Sequence, residues 1–98
     1  MQRMDVDWDS LTTLEDWAGV LYELLEAAAA SVQSGDAAKR AAAQKDLIEF
    51  VMQSPNTIAI ELDELARGAI DDILLPATDQ ALASIARHMT ELAAYLPK

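Results

Sequence analysis

The sequence predicts an all-α protein: a compact antiparallel four-helix bundle preceded by a short extended N-terminal arm. Three observations carry that prediction. Apolar residues recur at three- and four-residue spacing in four separate stretches, the mark of helices with one buried face. Each stretch is bounded by proline, glycine or a capping residue. Aromatic residues make up only 5% of the chain and glycines number three, so the β-branched and aromatic supply of a sheet protein is missing. The chain has 98 residues, enough for one domain with one modest core. We divide it into an arm over residues 1–12 and a helical domain over 13–98.

The arm, MQRMDVDWD, alternates Met4, Val6 and Trp8 with Asp5, Asp7 and Asp9. Period two predicts extended backbone. Trp8 is expected either to fold back on the bundle or to dock on a partner together with its acidic neighbours. The first helix should begin near Thr13, where Thr12 and Glu15 have capping-box spacing, and end at Ser34-Gly35. Its stripe is Leu14, Trp17, Ala18, Leu21, Leu25, Ala28 and Val32, with Glu15, Asp16, Glu23 and Glu26 opposite. Asp36 should cap a second helix over 37–53. Its alanines allow close backbone approach, and Leu47, Ile48, Val51 and Met52 should fill the wider end while Phe50 projects off the stripe, under a loop.

The third helix, between Pro55 and Pro76, is the most sharply bounded. Proline fits a first helical turn, and the residue before a proline is pushed out of helical space. Ile58, Leu62, Leu65, Ala66, Ala69, Ile70 and Ile73 make its apolar side; Glu61, Glu64, Gly68 and Asp71 lie opposite, with Asp72 beside them. The fourth helix should start near Thr78, capped by its hydroxyl, with Leu82, Ile85, Ala86, Met89, Leu92, Ala93 and Leu96 as its stripe.

Composition narrows the chemistry. There is no cysteine, hence no disulfide and no thiolate site, which fits the cytoplasm. No run of about 18 apolar residues is present, so no membrane role is expected. His88 is alone and is followed by Glu91 in the reverse of the order that bundle metal sites use. Asp5, Asp7, Asp9 and Asp16 match calcium-loop spacing, but Ser10 replaces the glycine that such a loop needs. Paired carboxylates such as Glu61 and Glu64 fall on polar faces where water screens them. We therefore expect no catalysis, no cofactor and no metal.

Seventeen acids against seven bases give a net charge of −10. That repels nucleic acid and favours a basic partner. The predicted function is a non-enzymatic binding protein docking on a basic protein surface through Asp5, Asp7, Trp8, Asp9, Glu61, Glu64, Asp71 and Asp72, with Trp8, Phe50 or Tyr22 as the apolar anchor. The alternatives are a homodimer formed through an apolar helix face, and a nucleic-acid mimic if the acids of the first and third helices join. In size, charge and lack of catalytic residues the chain resembles small bacterial or phage accessory proteins, among them immunity proteins, antitoxins, anti-CRISPR inhibitors and secretion chaperones. It shares no motif with them.

Overall fold

The computed structural model describes residues 8–96, with the side chains of all of these except residues 56–59. The first seven residues, including Asp5 and Asp7, and the side chain of Ile58 lie outside that description. A single 3-10 turn, η1 (Trp8–Ser10), leads into four helices: α1 (Leu14–Ser34), α2 (Ala37–Gln53), α3 (Asn56–Ile73) and α4 (Thr78–Leu92). A second 3-10 turn, η2 (Ala93–Tyr95), follows. Trp8 and Asp9 thus lie in a tight turn rather than in extended chain, and the described residues contain no strand. No helix among them is long and apolar enough to cross a membrane.

The caps explain the boundaries. Asp16 accepts from the N–H of Thr13 at 3.2 Å, and the Thr13 hydroxyl accepts from the N–H of Asp16 at 3.1 Å. The capping box is therefore Thr13–Asp16, one residue past the Thr12–Glu15 pair with the same spacing. Gly35, at φ 70°, takes the left-handed position that ends α1. Asp36 accepts from the N–H groups of Ala38 and Lys39 and opens α2 as expected. Pro55 flanks the start of α3, and α3 ends at Ile73, three residues before Pro76. At α4 the expected Thr78 cap is replaced: Ala77 holds the N-cap position without a side-chain bond, and Thr78 is already helical.

The buried faces of α1, α3 and α4 follow the predicted stripes closely. Trp17, Ala18, Leu21, Leu25, Ala28 and Val32 meet Leu62, Ala66, Ala69, Ile73, Ile85 and Leu92 in one core. Ala86 and Ala93 are exceptions, both exposed. In α2 the phase is different. Ala43, Leu47 and Phe50 are its buried residues, Phe50 completely so, whereas Ile48 and Met52 are 42% and 78% exposed. Phe50 is a core residue under η1: its ring lies 5.5 Å from Trp17 and 6.2 Å from Trp8, edge-on to both. One large aromatic buries more surface than isoleucine and methionine gain at the rim, and the helix is rotated to bury it.

The radius of gyration is 12.6 Å, close to the ~13 Å of a single compact domain of about 100 residues. α1 and α3 each pack against every other helix, whereas α2 and α4 make no comparable contact. The bundle is a rhombus with α1 and α3 across its short diagonal. Their outer faces consequently look away from each other.

Candidate functional site

That arrangement sorts the acids. α1 carries Glu15, Asp16, Glu23 and Glu26 outward on one side, and Glu61, Glu64 and Asp71 of α3 are exposed on the opposite side. The two sets do not merge into a single field, although α1 and α3 touch.

The aromatic anchors are placed differently from expectation. Trp8 stacks on Trp17 at 5.7 Å and is half-buried, so it closes the core. Phe50 is inaccessible, and Tyr22 is half-buried against the core. The aromatic residue beside carboxylates is instead Tyr95, whose hydroxyl donates to Glu61 Oε2 at 2.8 Å. That hydrogen bond, with burial and the charges of Glu61 and Glu91, raises the Tyr95 pKa above its usual value of 10.0. Nothing local signals the pair, since 34 residues separate its members.

On the α4-facing edge of α3, Glu61 and Gly68 are two turns apart, with Glu64 and Asp71 next to them toward solvent. Asp72, on the same edge, is drawn inward. Its Oδ2 lies 2.8 Å from His88 Nε2, and both side chains are 14% exposed. The distance is that of an ion-pair contact, but the geometry is off the line of an N–H bond, and neither Asp72 Oδ2 nor His88 Nδ1 has a hydrogen-bond partner. Gly68 makes room for this pair, because a Cβ there would stand 3.0 Å from His88 Nε2. Asp72 is thus a partner of His88 inside the α3/α4 contact, unlike the open carboxylates around it. Asp9 is exposed beside Trp8 at the far end of the sequence. The predicted residues therefore divide: Glu61, Glu64 and Asp71 share one solvent ridge with Glu91 and Tyr95, Asp72 lies beneath it, and Trp8 and Asp9 belong to the η1 turn.

The other edge of α3 faces α2 and has a different character. Gln44 donates to the Ile70 carbonyl at 3.3 Å, and the Ser54 hydroxyl meets Asp63 Oδ1 at 3.0 Å. Arg67 pairs with Asp63 at 3.0 Å. No group of three metal-ligating side chains occurs among the described residues. Comparison with known proteins adds no relative: no family model, curated protein or solved structure matches the chain.

Proposed function

We propose that this protein is a small non-enzymatic binding protein, of inhibitor or adaptor type, that docks on a basic protein surface through the ridge between α3 and α4. One observation carries the reading: the Tyr95 hydroxyl is held against Glu61, with the exposed carboxylate of Glu64 one turn along α3 and that of Asp71 farther along the same ridge. An aromatic ring bonded to a carboxylate suits an arginine or lysine side chain, which gains a cation–π contact and a charged partner together. The surrounding surplus of negative charge raises the rate of encounter with a basic surface.

Charge reversal tests this directly. Glu61→Lys with Glu64→Lys should leave helix content unchanged and abolish capture of a basic protein from extracts of the native host at low salt. Undiminished capture of the same protein by the double variant would overturn the reading. Asp72 is left out of that variant because a lysine there would strand His88 inside the helix contact.

A further inference from the structure

Between the first two turns of α2 and the end of α3 lies a groove of about 250 Å³. Ala37, Arg40, Ala41 and Gln44 line it from α2, at the spacing of one helix face. Ile73 and Leu74 line it from the end of α3. Ile73 is fully buried and Leu74 is 64% exposed, so this wall is apolar from the core to the surface. The Gln44 amide is fixed by donating to the Ile70 carbonyl at 3.3 Å.

Arg40 is the cation of this groove, and it lacks an acceptor. Its Nε is buried and has no hydrogen-bond partner. No carboxylate among the described residues forms an ion pair with its guanidinium. The neighbouring acids are engaged or distant. Asp36, one turn before Arg40, turns its carboxylate to the N–H groups of Ala38 and Lys39. Asp72 faces His88 on the α4 side of α3, and Asp71 is exposed on the ridge with Glu64. Asp46 and Glu49 lie roughly 9 and 14 Å farther along α2, at about 1.5 Å per residue. A buried N–H of a charged group without an acceptor is costly, and a ligand oxygen at the same guanidinium lowers that cost. Burial of Nε also fixes the guanidinium plane, which leaves the two Nη groups as the donors open to a ligand.

We propose that this groove binds a small aliphatic monocarboxylate. The carboxylate takes the two Nη groups of Arg40 end-on, and the alkyl chain lies along Ala41, Ile73 and Leu74. The overall charge of −10 opposes any anion at long range, so a dianion fits poorly and a single charge with an apolar tail fits best. At about 250 Å³ the groove falls just under the usual ~300–1,000 Å³ of small-molecule sites, which restricts the ligand to a short chain. The site lies off the α3/α4 ridge and does not depend on the docking reading.

Two-dimensional amide NMR of the whole chain, titrated with hexanoate to about 20 mM, tests the site. The expected result is saturable shifts centred on Gly35, Ala37, Ala41 and Leu74, with a Kd of about 1 mM. Acetate, which lacks the tail, and hexanamide, which lacks the charge, should each bind at least about tenfold more weakly. Arg40→Gln should weaken hexanoate about tenfold, whereas Lys39→Gln, the same loss of charge at the exposed neighbouring position, should change it less than about twofold. Circular dichroism checks that both variants keep their helices, and the three titrations of the unaltered chain decide the question if Arg40→Gln does not fold. No saturable shift at these residues, equal binding of hexanamide, or equal losses from Arg40→Gln and Lys39→Gln overturns the proposal. So do shifts centred on Ile48, Met52 and Ile60 instead of the groove.

Discussion

Gly19 and Gly68 both interrupt helices, and a Cβ at each would meet different surroundings. At Gly19 nothing lies within 4 Å, so the residue carries the full helix penalty of glycine with no packing in return. Gly19→Ala should stabilise the protein by about 1 kcal/mol and raise the unfolding midpoint by about 5 °C. At Gly68 the added carbon would sit 3.0 Å from Nε2 and 3.1 Å from Cε1 of His88. The imidazole cannot swing clear without leaving Asp72, and both side chains are mostly buried. Gly68→Ala should therefore destabilise, by roughly 1 kcal/mol, despite the better helix propensity of alanine. In a His88→Ala background the same substitution should become stabilising by about 1 kcal/mol, which a double-mutant cycle measured by urea unfolding would show as strong non-additivity. Additive effects would mean that His88 is free to move. In the sequence Gly68 lies among the acids of α3, and His88 is a lone histidine of α4 with no partner in view. Their meeting depends on how α4 lies across α3, which no local spacing encodes.

Helix by helix, most of the fold was legible. Periodicity located α1, α3 and α4 and their buried faces, because each buries a regular stripe of leucine, isoleucine and alanine that only one rotation satisfies. α2 was legible in extent but not in rotation. Its alanine-rich half has no strong apolar side, so the phase is decided by a tertiary contact, Phe50 against Trp17, invisible to periodicity. The N-terminus of α1 was legible only to within a residue, since Thr12–Glu15 and Thr13–Asp16 both have the spacing of a capping box. Asp16 prevailed by accepting from two backbone N–H groups, Thr12 at 3.1 Å and Thr13 at 3.2 Å. Those bonds stabilise its charged form and lower its pKa from the usual 3.8. With the folded value depressed, the contribution of Asp16 to stability is complete above pH 3.8 and is lost as pH falls through the folded value. Asp16→Asn should accordingly flatten the decline of stability with acidity below that point, read by urea unfolding at neutral pH and at about pH 3. Thr13→Ala should cost about 1 kcal/mol at neutral pH, whereas Thr12→Ala should cost less than half as much.

Among the described residues the acids keep out of the core, with Asp63 and Asp72 drawn into helix contacts, but their distribution over the surface could not be read from the sequence. Which carboxylates share a face depends on α1 and α3 lying across the short diagonal, and this separates the Glu23–Glu26 side from the Glu61–Asp71 side. Likewise Ile48 and Met52 reach the surface because α2 is rotated to bury Phe50. The separation has an energetic consequence. α1 contains no lysine or arginine, and Glu23 and Glu26 are exposed one turn apart, so like charges face each other across a helix surface with no base on α1 between them. Glu26→Lys converts that repulsion into an i, i+3 attraction and lowers the overall charge as well. At low ionic strength it should stabilise the bundle by about 0.5–1 kcal/mol. At about 1 M salt, where the Debye length is ~3 Å, the wild-type midpoint should rise toward that of the variant and the difference should largely vanish. Thermal unfolding of both proteins across a salt series measures this. A gain that survives high salt undiminished would show that Glu26 acts through packing or helix propensity instead of charge, and would remove self-repulsion as a significant cost of this acidic surface.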